Sequence, residues 1–355
     1  MVDTAEVRAE ESIAEFEHGR RGPLAQLQHL LHNVPTLVPI IILTLSVIAF
    51  AIATDGRLLN GLAIKITLEQ TAIVAILACA QTLIILTAGI DLSVGAVMVL
   101  SYVCMGHLGV TYGVPAPLAV LAGMLLAMAL GTVNGLLVTR VRLPPFIVTL
   151  GMWQIVLATV YLYTGSQSIR SQDIDANAPL LKVFGARVEV GDWPLRIMGA
   201  PTIWAVILVI LLFATFWYVL NRTAWGRHVY AVGDDREAAE LAGVRADGVL
   251  LSVYVVAGAI VGLAAWAAIG RVGSISPSSF AEANLDSIAA VVIGGTSLFG
   301  GRGTILGTLF GALTVGVFAT GLKLAGANPQ WVLFASGCLI ILAVALDQWI
   351  RRISV

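Results

Sequence analysis

Asn221-Arg-Thr-Ala-Trp-Gly-Arg-His-Val-Tyr-Ala-Val-Gly-Asp-Asp-Arg-Glu-Ala-Ala-Glu-Leu-Ala-Gly-Val-Arg245 is a polar island between two apolar runs, Pro201 to Leu220 before it and Val249 to Ile269 after it. Each flanking run fits a lipid bilayer, whose ~30 Å hydrocarbon core takes about 20 apolar residues per helix. The island does not. Within it, Glu237-Ala238-Ala239 leads to Gly243, the pattern of a short small-residue helix ended by a left-handed glycine. A polar helix held at a membrane face by spans on both sides sets the expected fold class: an all-α, polytopic transmembrane helical bundle.

Composition agrees. Hydrophobic residues make up 58% of the chain and charged residues 12%, against about 25% charge in soluble domains; mean hydropathy is +0.93. Ten spans are expected along the sequence: Val34 to Thr54, Leu62 to Thr87, Leu92 to Val110, Pro115 to Val138, Phe146 to Tyr163, Pro201 to Leu220, Val249 to Ile269, Ser287 to Phe299, Thr304 to Leu322 and Trp331 to Ile350. The eighth is short and broken by glycine. Residues 1–33 read as a cytoplasmic N-terminal tail, acidic from Asp3 to Glu17 and without the basic-then-apolar order of a signal peptide. Residues 34–355 read as the transmembrane domain.

Arg and Lys near the span ends give an orientation. With the N-terminus inside, Arg20, Arg21, Arg140, Arg142, Arg222, Arg227, Arg236, Arg245, Arg302, Arg351 and Arg352 fall on the inner side, and fewer basic residues fall outside. The same count places residues 221–248 in the cytoplasm, 164–196 outside and both termini in the cytoplasm.

Two glycine-rich interruptions echo each other: Thr87-Ala-Gly-Ile-Asp-Leu-Ser-Val-Gly95 and Ile293-Gly-Gly-Thr-Ser-Leu-Phe-Gly-Gly-Arg-Gly303. Paired breaks in two halves point to repeated units around a midplane pathway; close helix packing in lipid explains such glycines as well. Gln81, Asn134, Gln154, Gly294 and Gly295 are candidates to line a path, the polar ones equally fit for interhelical hydrogen bonds. Glu69 and Lys65 stand four apart, a spacing that lets them neutralise each other. Asp91 is better placed to cap the third helix than to carry a solute.

Several classes are excluded. There is no phosphate-binding Gly-x-x-x-x-Gly-Lys-Ser/Thr loop, so no ATP site of that kind. No basic run points to nucleic acid. No nucleophile–base constellation or metal-ligand spacing marks an active site, and the three cysteines lie in apolar stretches. No catalytic residue, metal or cofactor is expected.

The chain resembles the inner-membrane permeases of binding-protein-dependent ABC importers, in their ribose/xylose/fructose branch. The residues that carry the likeness are Leu86-Thr-Ala-Gly-Ile-Asp-Leu-Ser-Val-Gly95, Asn134-Gly135, Pro145-Phe-Ile-Val-Thr-Leu-Gly151, Gly226-Arg-His-Val-Tyr-Ala-Val-Gly233, Glu237-Ala-Ala to Gly243, Leu285 to Gly303, and Gly307-Thr308. The resemblance implies inverted repeats of spans 2–5 and 7–10, a homodimer of permease copies in a bacterial inner membrane, and lipid around them. It implies separate ABC ATPase subunits that bind ATP and Mg, and a periplasmic sugar-binding protein that delivers a monosaccharide. Arg227, Glu237, Ala238, Ala239 and Gly243 would then form the ATPase-coupling segment, although the Ile-x-Leu-Pro that often follows the glycine in the wider importer signature is missing. A self-sufficient channel or ion-coupled secondary transporter is the alternative; it leaves the Glu-Ala-Ala island without a task.

Overall fold

The computed structural model describes residues 36–345, apart from 191–192, 198–199, 281, 329, 336, 339–340 and 343–344. The expected N-terminal tail lies outside the described residues, as does much of the tenth span.

Among the described residues, seven helices are long and apolar enough to cross a membrane. They are α2 (Gly61–Leu86), α3 (Val94–Gly106, prolonged by a π turn at His107–Thr111), α4 (Ala116–Thr139), α5 (Pro145–Thr164), α7 (Trp204–Arg222), α10 (Ala246–Val272) and α12 (Ile305–Leu324). Two shorter apolar helices join them, α1 (Leu37–Ala53) and α11 (Ala283–Ile293). The chain is a multi-pass membrane protein. Between α5 and α7 stand a short helix α6 (Ser171–Asn177), a 3-10 segment (Pro179–Gly185) and two antiparallel hairpins, β1 (Glu189–Val190) with β2 (Trp193–Pro194) and β3 (Arg196–Ile197) with β4 (Ala200–Pro201). These two-residue strands depart from the all-α expectation without changing the architecture. The polar island forms α8 (Ala224–Asp234) and α9 (Arg236–Leu241).

The packing is reciprocal. Helix α10 lies along α4 and α3, α2 lies along α12 and α11, and α2 and α10 pack on each other at the centre. Small residues make the close approaches. A Cβ on Gly258 of α10 would stand 2.6 Å from the Ala127 carbonyl of α4, and one on Gly131 would stand 2.5 Å from that of Tyr254. Lipid gives little hydrophobic drive between helices, so contact of this kind, with interhelical hydrogen bonds, carries association. One such bond links Thr82 Oγ1 and Thr308 Oγ1 at 2.8 Å, in the buried α2–α12 seam.

The eighth span differs from its expected bounds. The helix begins at Ala283 and stops at Ile293, because Gly294 and Gly295 end it, the latter at φ +77°. At 1.5 Å per residue it covers about half a bilayer. The echo between breaks is also corrected. Segment 87–93 precedes α3, whereas 294–303 follows α11, so they hold different places in the two halves. The segment that stands before α11 as 87–93 stands before α3 is 273–282. The start of α11 meets the start of α3: Asn284 Nδ2–H donates to the Leu92 carbonyl at 2.8 Å, and a Cβ on Gly95 would lie 3.1 Å from Asn284 Cβ. Thus α3 and α11 start against each other inside the bundle.

Candidate functional site

The island is built by two caps. Thr223 Oγ1 accepts from Gly226 N–H at 3.3 Å to start α8, and Asp235 Oδ1 accepts from Ala238 N–H at 3.0 Å to start α9. Gly243 closes α9 at φ +86°, with its N–H bonded to the Glu240 carbonyl and Val244 N–H to that of Ala239. No heavy atom lies within 4 Å of the place its Cβ would take. The left-handed backbone alone therefore selects glycine here.

Arg236 fixes α9 to the bundle. Its Nε–H donates to Glu240 Oε1 at 3.1 Å and its Nη2–H to Asp247 Oδ1 at 2.6 Å, at the first turn of α10. The expected docking residues separate on this helix. Glu237 and Ala238 are exposed and Ala239 is buried, so Ala239 supports α9 from below instead of offering room to a partner. Leu241, not singled out in the sequence reading, is 90% exposed at the end of α9. Arg227 is exposed on α8.

Helix α8 is seated on both inner breaks. Gly301 N–H donates to the Leu86 carbonyl at 3.0 Å, and Gly233 packs directly on the same carbonyl. Tyr230 Oη–H donates to the Gly303 carbonyl at 2.9 Å; burial pushes its phenol above the ordinary value. Trp225 Nε1–H donates to Ser252 Oγ on α10 at 2.8 Å. The two glycine-rich segments thus do come together, not as repeat mates but as one floor beneath the island.

Beside α9 opens a cavity of about 530 Å³, lined among others by Thr87, Gly89, Arg142, Arg236, Glu237 and Tyr254. Behind Tyr254 lies a second, far smaller cavity of about 10 Å³, bordered by Asp91, Ser93, Asn134 and Tyr254. Here Asp91 Oδ1 accepts from Ser93 N–H at 2.7 Å and from Ser93 Oγ–H at 2.6 Å, and Asn134 Nδ2–H donates to Ser93 Oγ at 2.9 Å. Asp91 thus holds the turn before α3, but the N-cap residue is Ser93 and no side chain caps the helix, so the expected capping by Asp91 is not made.

The path candidates lie apart. Gln81 is fully buried in α2, and Asn134 is 1% exposed beside the small cavity. Gly294 and Gly295 belong to the tight α11–α12 corner, where a Cβ on Gly294 would stand 2.6 Å from Thr308 N. Gly295 is exposed at that corner, and Gln154 is exposed on α5 near Gly151, which has open space where its Cβ would be. Glu69 and Lys65 form an ion pair at 3.6 Å. Among the described residues no group of three or more His, Cys, Asp or Glu could hold a metal ion.

Comparison with known proteins bears on this arrangement. The family described as "Branched-chain amino acid transport system / permease component" matches residues 63–344. The fructose import permease protein of Rhizobium meliloti is 53% identical over 342 residues, 96% of this chain and 93% of the relative. The ribose import permease protein of Escherichia coli K12 is 37% identical over 79% of this chain and 84% of its own length, and the xylose transport system permease protein of the same strain is 30% identical over 90% and 93%. No solved structure matches the chain significantly.

Proposed function

Because the chain belongs to the family of transport-system permease components, we propose that it is the membrane-embedded subunit of a sugar ABC importer, passing a monosaccharide that a periplasmic binding protein delivers. The observation that carries this reading is the identity of 53% with a fructose import permease across nearly the whole of both chains. Such a subunit needs no nucleotide site of its own. It needs a face through which a soluble ATPase can move it, and α9 supplies one: a short capped helix, clamped by Arg236 to α10, with Glu237, Ala238 and Leu241 turned outward.

In this reading α8 and α9 face the cytoplasm of a bacterial cell, the segment 164–196 faces the periplasm, and both termini are cytoplasmic. ATP and Mg bind to the partner subunits. Two permease copies form the working unit, with the solute path along the open side of α5, where Gln154 offers an amide to sugar hydroxyls. Fructose is the first sugar to test. The Lys65–Glu69 ion pair speaks against the ion-coupled alternative, which would draw on those charges to carry its ion.

The test is uptake of labelled fructose, ribose and xylose into proteoliposomes holding this permease with its ATPase and binding protein. Uptake that needs ATP hydrolysis and all three components supports the proposal. Uptake that persists without the ATPase would sink it.

A further inference from the structure

The small cavity behind Tyr254 has a donor–acceptor pattern that one molecule completes. Three elements meet there: the 87–93 segment with Asp91, α4 with Asn134, and α10 with Tyr254. Tyr254 is 2% exposed and Asn134 is 1% exposed. Tyr254 Oη and Asn134 Oδ1 both lack a hydrogen-bond partner in the protein. Buried polar atoms left in this way lose their hydration with nothing in exchange, and are rare in folded proteins. Asp91 Oδ1 accepts from Ser93 N–H and Oγ–H, and the carboxylate also stands beside the Asn134 side chain and Val94 N–H, so the two orphaned atoms are those of Tyr254 and Asn134.

We infer that this cavity binds a single ordered water, which accepts from Tyr254 Oη–H and donates to Asn134 Oδ1 and to the Asp91 carboxylate. The volume of about 10 Å³ matches the room that one water centre needs, about 10–15 Å³, and three polar partners fall within the usual range for a buried water. A sugar ring is far too large, so this site is distinct from a solute path. A bare monovalent cation fits less well. It could take the oxygens of Asp91 and Asn134, but it could not accept the Tyr254 proton, and one orphan would remain. Water has two O–H donors and two acceptor lone pairs, which covers the one acceptor and two donors required.

The site holds a position of consequence. Tyr254 is also a wall of the cavity of about 530 Å³ beside α9. Water anchored behind its ring pins Tyr254 between that cavity and the start of α3. It thereby ties α10, the helix that follows the island, to α4 and to the turn that opens α3. The bridge is a latch at the inner end of the bundle, made of side chains that the proposed function does not use.

The test is an experimental density map of the full-length permease in lipid nanodiscs, at a resolution that shows ordered waters. One peak within hydrogen-bond distance of Tyr254 Oη, Asn134 Oδ1 and an Asp91 carboxylate oxygen is expected. No peak, or a direct Tyr254–Asp91 bond, overturns the inference. An anomalous peak at this place after exchange into rubidium would make it a cation site and overturn it as well. A double-mutant cycle gives a second measure. Tyr254→Phe and Asn134→Ala should each lower the melting temperature, and the double variant should fall little beyond the worse single one, because either change breaks the same bridge. Additive losses would overturn the shared water. If Asn134→Ala does not fold, Tyr254→Phe with Asp91→Asn closes the same cycle.

Discussion

Gly233, at the end of α8, rests on the backbone carbonyl of Leu86, the last residue of α2, so closely that a Cβ on Gly233 would overlap that oxygen. The Leu86 carbonyl also accepts from Gly301 N–H at 3.0 Å. Three segments far apart in sequence therefore cross at one carbonyl. Any displacement of α8 is felt directly by the end of α2 and by the loop that joins α11 to α12. This crossing converts a surface island into part of the transmembrane machinery.

Gly233→Ala should accordingly lower stability by about 1–3 kcal/mol or more, as overpacking in a tight core does, read as a drop in melting temperature in detergent. Tyr230→Phe is the milder probe. It removes the bond to the Gly303 carbonyl at about 1 kcal/mol, and it should lower ATP-driven uptake while the ATPase still co-purifies. An unchanged melting temperature for Gly233→Ala would show that the crossing is looser than described.

Gly243 permits a sharper experiment, because space and backbone conformation separate there. Its surroundings are open and its φ is +86°. A left-handed residue with a Cβ costs about 1–2 kcal/mol, and Asn tolerates that region better than most. Gly243→Asn should retain most uptake and Gly243→Val should lose it, both reaching the membrane in normal amounts. Equal activity of the two variants would mean that the glycine does not set the shape of the docking segment.

Leu241 is the position to probe for docking itself. An apolar side chain 90% exposed at the end of a capped helix has no folding role to lose. Leu241→Glu should change stability by no more than about 0.5 kcal/mol, as surface substitutions do, yet it should reduce co-purification of the ATPase. If complex formation is unaffected, the partner meets the island elsewhere.

Much of the fold was legible in the sequence because span length and hydropathy are strong signals. The structure moves the start of the third span from Leu92 to Val94, where the Asp91–Ser93 turn intervenes. The left-handed Gly243 was readable from its place after Glu-Ala-Ala. What could not be read was which face of α9 turns inward, because a six-residue helix has too few positions to show periodicity. Ala239 thus read as a docking residue and is buried, while Leu241 passed unnoticed. The glycine segments were mispaired for a related reason. Local composition marks a break but not which break in the other half it matches, and the meeting of Leu92 with Asn284 is a long-range fact. Tyr254 was missed because an aromatic in an apolar span reads as core, and nothing local shows that it borders one small cavity with Asn134 and Asp91.

Orientation can be tested from the far end of the bundle. Gln172 is exposed on α6, free of the Lys182–Asp175 ion pair of that region, whose N–O distance is 2.6 Å. Gln172→Cys, with Cys104 and Cys338 replaced by Ser and the buried Cys79 kept, should react with a membrane-impermeant maleimide added to intact spheroplasts. Labelling only from the inner face would invert the arrangement and place α9 away from any cytoplasmic ATPase.

The last prediction separates path from packing. Gly294→Ala would bring a Cβ within 2.6 Å of Thr308 N, so its defect should be structural: a lower melting temperature together with reduced uptake. Gln154 lies on the exposed side of α5 with open space at neighbouring Gly151. Gln154→Leu should leave melting within about 0.5 kcal/mol of the parent and leave ATPase assembly intact, while uptake falls because an amide that can bond sugar hydroxyls is lost. Gly151→Leu, which adds bulk on the same side, should act likewise. Uptake must drop in both α5 variants with no loss of stability for the path to run there. If both transport normally while Gly294→Ala remains folded and inactive, the solute passes by the α11–α12 corner, and the open side of α5 faces lipid.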